Sequence, residues 1–301
     1  MAEIEIIIPS YNSHQTISET LESISIQTDM PSFHVTIVND NGLPYDDIIK
    51  KYNFDISEIN TGKNVGPGLA RQIGIDSTNS KYIMFIDSDD VFYDDKSISS
   101  LYKKIERYNM NVVIGNFIYN RDNEVEIKEK DLIWLHGKIY RRSFLEENNV
   151  HFNETRYNED NGFNRFIYLI NTRIAYLDQI VYIYKENNNS ITRKNDREYK
   201  YSGLEWYVYN INWAIDKALQ NKVIETRLYG TIINTLFNMY NYYNELPDRF
   251  DKNKLIEWSV PIYKKYEKYY QECQRDKKIY EEKVEDIEDF NNFLELIKKI
   301  S

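Results

Sequence analysis

The run Ile-Met-Phe-Ile-Asp-Ser-Asp-Asp, residues 83–90, decides how this sequence folds. Apolar residues typical of a buried strand are followed at once by three carboxylates, Asp87, Asp89 and Asp90. Carboxylates placed this closely repel one another, and a divalent cation with oxygen ligands stabilises their ionised forms best. Open α/β sheets bind ligands at the carboxyl ends of their strands. The run therefore predicts a buried strand that ends in a metal site.

Short apolar runs alternate with amphipathic segments on both sides of this strand. They predict strands at residues 4–8, 34–38, 55–59 and 82–86, and helices at residues 14–27, 46–52, 65–76 and 95–107. Such alternation indicates a parallel sheet. Right-handed crossovers then bring the loops at the carboxyl ends of the strands to one edge. The predicted fold class is α/β, a Rossmann-like, mostly parallel sheet flanked by helices.

The composition of the chain changes near residue 196. Eight of the ten glycines and four of the six prolines precede residue 197, and later apolar residues recur at helical spacing. We therefore predict an α/β domain over residues 1–195 and an all-helical region over residues 196–301. The helical region is expected to shape an acceptor site or to form an oligomer contact.

Charge and cysteine content exclude several classes of protein. The net charge is −10 and the 38 basic residues are dispersed, which argues against general affinity for nucleic acid, because phosphate neutralisation requires clustered cations. Cys273 is the single cysteine, so no internal disulfide framework forms and a reducing compartment is expected. No signal peptide precedes the first strand, and no apolar run reaches the roughly 18 residues of a membrane span. We expect a cytoplasmic protein without a transmembrane segment.

Two loops at the predicted edge of the sheet suit a nucleobase. The first strand ends at Pro-Ser-Tyr-Asn, residues 9–12, where the tyrosine ring could stack on a base or belong to a capped turn. The second strand ends at Val-Asn-Asp-Asn-Gly, residues 38–42. Residues 44–52 after it predict a helix and not a returning strand, so Asn-Gly does not indicate a hairpin. Asp40 is left at the ligand edge, where its carboxylate could accept a ring N–H.

The third loop, residues 60–71, reads Asn-Thr-Gly-Lys-Asn-Val-Gly-Pro-Gly-Leu-Ala-Arg. Its glycines and the helix that begins there could bind a diphosphate, because free N–H groups and the positive end of the helix dipole favour an anion. A dinucleotide fingerprint is excluded, because Arg71 stands where the third glycine belongs and the loop follows the third strand. A P-loop is excluded because no Gly-Lys-Ser/Thr closes the run. Lys63 and Arg71 could equally be surface cations.

The acidic strand end itself has two alternatives. An EF-hand loop that starts at Asp87 would need a glycine in its sixth place and a glutamate in its twelfth, and the chain has neither. Asp89 and Asp90 could instead cap a helix, although Asp94 or Asp95 is better placed to cap the next helix.

In this order the four loops resemble the nucleotide-sugar domain of the family 2 glycosyltransferases, which has the GT-A fold. The matching segments are residues 7–12, 38–42, 64–71 and 87–90, followed by residues 131–145, 157–161 and 182–192. The resemblance therefore covers about residues 1–195. The helical region matches no family that we can name.

The resemblance implies which residues hold the donor. Tyr11 and Asp40 would bind the uracil beside Pro9, and Arg71 would lie against the base or the diphosphate. Asp87 would face the ribose or the sugar. The donor-contacting residues implied are Pro9, Tyr11, Asp40, Asn64, Gly66, Arg71, Asp87 and Ser88.

The resemblance also implies the cofactor and the reaction. Asp89, with Asp87, would bind Mn²⁺ or Mg²⁺. A sugar that leaves as UDP develops negative charge on two phosphates, which a bound metal stabilises as a Lewis acid. The expected protein is a metal-dependent, inverting glycosyltransferase that moves a sugar from a UDP-sugar to a hydroxyl of a surface saccharide.

An inverting transfer needs a base within hydrogen-bond reach of the acceptor hydroxyl. The resemblance places this base in the pair Glu159-Asp160, at the start of the amphipathic segment 161–170, and Asp160 is the preferred candidate. Helix capping is the alternative, because a helix N-terminus favours carboxylates. The family's aromatic residue two places after the pair stands one place later here, at Phe163.

Some alternatives stay open. His136, just before a predicted strand-to-helix turn, could contact the metal or the substrate, but an uninvolved histidine is the commoner case. Trp134 could form an acceptor wall or belong to the core. The acceptor could be a modified nucleobase or a protein, although the acidic composition counts against DNA. A non-catalytic nucleotide-sugar-binding or assembly protein is disfavoured, because four residues are retained together: Asp40, Arg71, Asp89 and Asp160.

Overall fold

The computed structural model describes residues 2–121, 124–186, 197–247, 249–281 and 287–301. The strands are β1 Ile4–Ser10, β2 Phe33–Asn39, β3 Ile56–Asn60, β4 Tyr82–Phe85, β5 Val91–Phe92, β6 Val112–Arg121, β7 Glu124–Lys128, β8 Lys138–Arg141 and β9 Ile174–Tyr184. The helices are α1 Ile17–Ser25, α2 Asp46–Ile49, α3 Pro67–Asp76, α4 Ser97–Arg107, α5 Arg142–Glu147, α6 Glu159–Ile170, α7 Arg197–Leu219, α8 Glu225–Glu245, α9 Lys252–Lys268, α10 Tyr270–Glu281 and α11 Ile287–Lys298.

The parallel half of the sheet has the order β3-β2-β1-β4. Ile6 and Ile8 of β1 share one core with apolar residues of α1 and α4. Ile7 points to the opposite face, where a Cβ on Gly74 of α3 would lie 2.5 Å from Ile7 Cγ2. Helices therefore cover both faces of β1, which explains its unbroken apolar run. The four predicted parallel strands are confirmed.

The sheet continues beyond β4 in the order β8-β6-β9-β5, and β7 pairs with β6. β8 is antiparallel to both β4 and β6, whereas β9 is parallel to β6 with register shifts around Asn116. Gly115 and Gly137 both lie against Val181, and a Cβ at either position would approach its Cγ2 to within 2.9 Å. The sequence predicted only the strand-to-helix turn at β8 and α5, which is confirmed.

Helices α1 and α4 begin slightly later than predicted, and α2 ends earlier. After α2, Lys51 and Tyr52 donate their N–H groups to carbonyls only three residues back, so the helix closes in a tighter turn. Before α4, Asp94 Oδ1 accepts from the Ser97 hydroxyl at 2.8 Å. Asp94 therefore supports the turn into α4, although it does not occupy the capping position itself.

The described chain divides into two compact units, Met1–Asn164 with Asn171–Arg193, and Arg165–Ile170 with Lys194–Ser301. The second unit is helical, as predicted for residues 196–301, and the predicted boundary itself lies in residues 187–196, outside the described residues. The second half of α6 belongs to this helical unit, which the sequence did not predict. Within it, the Phe166 ring meets the Trp213 ring edge to face at 5.9 Å. Of the helices described, none has the length and hydropathy needed to cross a membrane.

Candidate active site

Asp40 follows β2 and closes the glycine-containing loop. Its Oδ1 accepts from Val65 N at 2.7 Å and from the Thr61 hydroxyl at 3.1 Å, and its Oδ2 accepts from Gly66 N at 2.9 Å. Gly66 has a φ of +89°, which favours glycine. Two N–H groups that the sequence offered to a phosphate are thus bound by Asp40. A carboxylate has about four acceptor positions, so the predicted uracil contact of Asp40 stays compatible with these bonds.

Buried Asn39 fixes the turn after β2. Its Nδ2 donates to the Leu43 carbonyl at 2.8 Å and to Glu58 Oε1 at 2.6 Å, and its Oδ1 accepts from Gly42 N at 2.7 Å. These bonds turn the chain towards α2. The prediction that Asn41-Gly42 does not form a hairpin is confirmed, because helix α2 and not a returning strand follows β2.

The loop after β1 lies beside the loops that follow β2 and β4. Asp40 N donates to the Ser10 carbonyl at 2.7 Å, and the Ser88 hydroxyl donates to the Ser13 hydroxyl at 2.7 Å. Pro9 is buried inside β1, whereas the Tyr11 side chain directly after the strand is 53% exposed. The structure thus places an open aromatic ring at the ligand edge, where the sequence predicted it.

Arg71 joins the two acidic segments. Its Nη2 donates to Asp87 Oδ1 at 2.7 Å and its Nη1 donates to Glu159 Oε1 at 2.8 Å, and the residue is only 6% exposed. Burial alone would lower the pKa of Arg71, but the charges of Asp87 and Glu159 outweigh burial and raise it. The alternative of a surface cation is therefore wrong for Arg71. Its predicted contact with the base or the diphosphate stays a prediction, because both terminal amino groups bind carboxylates.

The acidic pair begins helix α6, as predicted. Glu159 lies so close to α3 that a Cβ on Gly68 would be 2.8 Å from Glu159 Cγ. Burial raises the pKa of Glu159 against the opposing charge of Arg71. Burial and then the charge of Glu159 raise the pKa of Asp160 to about 7. A carboxylate with a pKa near the working pH is suited to general-base catalysis.

Asp87, Asp90 and His136 bring one potential ligand atom each to within 4.8 Å of one another. Burial lowers the pKa of His136 to about 4, so its imidazole is neutral at pH 7 and can ligate a metal. Burial and then the charges of Asp87 and Asp89 raise the pKa of Asp90 well above its ordinary value, and a nearby cation would offset this repulsion. Two carboxylates and one imidazole form a donor set that fits Mn²⁺.

The sequence predicted Asp87 and Asp89 as metal ligands. Asp89 is half-buried and outside this group, and its role as a ligand stays a prediction. Asp90 does not cap a helix, because its carboxylate accepts from the Tyr182 hydroxyl at 2.6 Å and from Lys185 N at 2.8 Å. Asp90 and His136 are therefore candidate ligands that the sequence did not select. The sequence did contain signals for both: Asp90 is the third acid of the run at residues 83–90, and His136 is the histidine considered as a possible metal or substrate contact.

Half-buried Trp134 packs at 5.6 Å on the Phe117 ring and at 5.4 Å from the His136 ring. Its carbonyl accepts from Nζ of Lys138, which is buried, and burial lowers the pKa of this lysine to about 8. From α6, the Asn164 amide donates to the Trp134 carbonyl at 3.3 Å. Lys138 and Asn164 thus hold the loop that carries His136, a role that the sequence did not predict.

The curled, mostly parallel sheet, with carboxylates at its strand ends and a helical C-terminal region, defines the GT-A fold of nucleotide-sugar transferases. The chain belongs to glycosyl transferase family 2, because the model of that family matches residues 5–159, more than half of the chain. The predicted family and the predicted fold class are both confirmed.

Two curated relatives are similar to this chain in sequence, and one solved structure shares its fold. The chain is 26% identical over 226 residues to the glycosyltransferase GlyA of Streptococcus pneumoniae. The aligned region covers 64% of this chain and 32% of GlyA. It is 29% identical over 205 residues to TarS of Staphylococcus aureus, a poly(ribitol-phosphate) beta-N-acetylglucosaminyltransferase. This aligned region covers 61% of this chain and 35% of TarS. The chain thus spans about a third of the length of these relatives.

The crystal structure of TarS residues 1–349 in complex with UDP-GlcNAc matches the fold of this chain. The TM-score is 0.74 at 18% sequence identity, and the match covers 99% of this chain and 91% of that one. The helical C-terminal region of this chain is therefore part of the matched fold.

Proposed function

We propose that this chain carries the catalytic domain of a metal-dependent, inverting glycosyltransferase that transfers a sugar from a UDP-sugar to a hydroxyl of a saccharide. One observation carries the proposal: the buried Arg71 guanidinium binds Asp87 at the end of β4 and Glu159 at the start of α6. A donor-side carboxylate and the acidic pair are thereby fixed together. Asp160, next to the anchored Glu159, is the member of the pair with a pKa of about 7.

Two features support a UDP-sugar as the donor. The TarS structure with the same fold contains UDP-GlcNAc, and this chain has an open Tyr11 ring directly after Ser10, whose carbonyl accepts from Asp40 N. The ring would stack on the uracil, and an oxygen of Asp40 would accept the imide N–H. Both roles were predicted from the sequence and remain proposals.

We assign Asp87, Asp90 and His136 as the group that would hold Mn²⁺ or Mg²⁺, with Asp89 as the further predicted ligand. When bound, the cation supplies positive charge against the negative charge of the leaving diphosphate. His136 is neutral and Asp87 carries one negative charge. With a divalent cation bound, the group would therefore have a net charge of +1 if Asp90 stays protonated and of zero if Asp90 ionises.

The chemistry of the acceptor side depends on Asp160. The acceptor hydroxyl oxygen forms a bond to the anomeric carbon from the face opposite the diphosphate, while the bond from that carbon to the phosphate oxygen breaks. The hydroxyl proton moves to the Asp160 carboxylate, and UDP leaves with the bonding electron pair. Glu159 is less suited to accept the proton, because Oε1 already accepts from Arg71. Burial raises the pKa of Glu159 overall, but the charge of Arg71 also opposes its protonation.

Thermal unfolding with UDP, UDP-Glc, UDP-Gal, UDP-GlcNAc and UDP-GalNAc, each with and without Mn²⁺, tests the donor. We expect one UDP-sugar to raise the Tm in a manganese-dependent way, since a ligand that binds only the folded state stabilises it. That donor should then release UDP in the presence of a saccharide acceptor. No response to any uridine nucleotide would contradict the proposal, and binding without turnover would favour the non-catalytic alternative. The cytoplasmic location and an oligomer contact through the helical region also remain predictions.

A further inference from the structure

The loop before the acidic pair carries an arginine that none of these roles uses. Arg156 is exposed, and both its terminal amino groups donate to Asn64: Nη1 to Oδ1 at 3.2 Å and Nη2 to the main-chain carbonyl at 3.4 Å. In the part of the chain that the structure describes, no acidic side chain pairs with this guanidinium. The guanidinium thus binds two neutral acceptors, whereas the strongest arginine contacts are with carboxylates and phosphates.

Asn64 belongs to the loop that Asp40 closes from the other side. Val65 and Gly66 donate their N–H groups to Asp40, so residues 64–66 lie between the end of β2 and Arg156. A Cβ on Gly66 would lie 3.7 Å from Arg156 Cγ, so the arginine stem also rests on this loop. Arg156 thus binds Asn64 and lies next to Gly66, two positions that are predicted to touch the donor.

The segment around Arg156 also follows α3 towards the acidic pair. Phe152 N donates to Gln72 Oε1 at 2.9 Å. A Cβ on Gly68 would lie 3.5 Å from the Asn153 carbonyl and 2.8 Å from Glu159 Cγ. The segment 152–159 is therefore packed against α3 at both of its ends, through Phe152 and through Glu159. Within this segment, Arg156 makes the contact with Asn64 of the glycine-containing loop.

We propose that Arg156 is a positioning residue that couples the nucleotide pocket to the acidic pair. A bound uridine diphosphate fixes residues 64–66, Asn64 then holds the Arg156 guanidinium, and Arg156 fixes the segment that ends at Glu159. The coupling is reciprocal, so Arg156 must also tighten nucleotide binding. This inference rests on the proposed function, because it takes residues 64–66 as part of the donor pocket.

A double-mutant cycle between Arg156 and Asn64 tests the proposal. UDP binding is measured by calorimetry with Mn²⁺ in wild type, Arg156→Ala, Asn64→Ala and the double variant, and kcat and KM are measured for UDP release. We expect Arg156→Ala to weaken UDP binding about tenfold and to lower kcat as well, a coupling of ordinary size. The losses of the two single variants should add only in part in the double variant, because Asn64→Ala removes the Oδ1 acceptor of Arg156 but keeps the main-chain carbonyl that Nη2 contacts.

Two further variants make the result specific. Arg156→Lys should recover only part of the UDP affinity, because one ammonium cannot reproduce the two-pronged contact with Asn64. Arg107→Ala, which removes an exposed arginine of α4, should leave UDP binding and turnover unchanged. The Tm of every variant is recorded, so a loss of folded protein is not mistaken for a loss of coupling.

The outcomes separate this inference from the proposed function. If wild type binds UDP and Arg156→Ala binds it equally well, the positioning role is wrong and the glycosyltransferase proposal stands. If the losses of Arg156→Ala and Asn64→Ala add in full, the two residues act separately and the coupling is wrong. If wild type itself binds no uridine nucleotide, the proposed function fails and the coupling fails with it.

Discussion

Asp87 and Asp160, one from each acidic segment of the first unit, have pKa values shifted in opposite directions. At the end of β4, Asp87 is paired with Arg71, and this pairing outweighs burial and lowers the pKa of Asp87. At the start of α6, Asp160 lies beside Glu159, and burial together with this neighbour raises the pKa of Asp160 to about 7. A lowered pKa keeps Asp87 ionised, as a cation ligand must be, whereas a pKa near 7 suits Asp160 to accept a proton.

Among the described residues, Arg71 forms ion pairs with two of these carboxylates and leaves Asp160 without one. Asp87 and Glu159 each accept a hydrogen bond from Arg71 at 2.7 and 2.8 Å, which commits them to fixed, anchored positions. Asp160 accepts instead from its neighbour Asn161 N at 2.7 Å. Anchoring suits a group that organises the donor side, whereas a carboxylate without an anchoring ion pair suits proton transfer.

The largest expected effect is on turnover. Asp160→Asn keeps the shape of the side chain but cannot accept the hydroxyl proton, so UDP release should fall by about 10²- to 10⁴-fold. UDP affinity, measured by calorimetry, should stay within about twofold, since the contacts that bind the nucleotide in the ground state are unaffected. Asp47→Asn, which changes a fully exposed carboxylate of α2, is the control and should keep full activity. An Asp160→Asn enzyme with the wild-type rate would end the assignment of Asp160 as base.

The next effect is on stability. Arg71→Gln leaves Asp87 and Glu159 buried without their cation, and removing one partner of a buried pair costs about 3–5 kcal/mol. We therefore expect a clear loss in the free energy of unfolding, measured in urea at about pH 7.5, where Asp87, whose folded-state pKa is lowered, is ionised. Arg107→Gln, on the exposed face of α4, should cost less than about 0.5 kcal/mol. A loss for Arg71→Gln as small as for Arg107→Gln would mean that Arg71 does not anchor the two segments.

A smaller effect on stability is expected from alanine substitutions at two helical glycines, Gly68 in α3 and Gly230 in α8. Gly68→Ala places a Cβ 2.8 Å from Glu159 Cγ, and overpacking of this kind costs about 1–3 kcal/mol. Gly230→Ala in α8 meets its nearest atom only at 3.7 Å and should stabilise the fold by about 0.5–1 kcal/mol, because alanine is the better helix former. Urea unfolding should give opposite signs for the two variants. The same sign for both would show that Glu159 is not packed against α3.

The sequence predicted the parallel half of the sheet well, because short apolar runs that alternate with amphipathic segments permit few topologies. It also located Asp40 and Asp87, since the residue after a buried parallel strand lies at the ligand edge. It did not pair Arg71 with Glu159, because these residues are 88 positions apart and only the packing of α6 against α3 joins them.

The later part of the sheet was less predictable for a physical reason. β6 pairs with β7, β8 and β9 in both orientations, and one pairing has register shifts. Pairing partners in such a mixed arrangement are not set by local periodicity. The grouping of Asp90 and His136 depends on these pairings, so a local pattern could indicate each residue but not that they meet.

The pH dependence of kcat/KM for UDP release tests the contrast between the two acidic segments most directly. Because the base must be ionised, wild-type kcat/KM should rise with pH through an apparent pKa of about 7. In Glu159→Gln the neighbouring charge that raises the pKa of Asp160 is removed, so the same limb should move to lower pH. A wild-type profile that is flat between about pH 5.5 and 8.5, or a limb that stays in place in Glu159→Gln, would contradict the account.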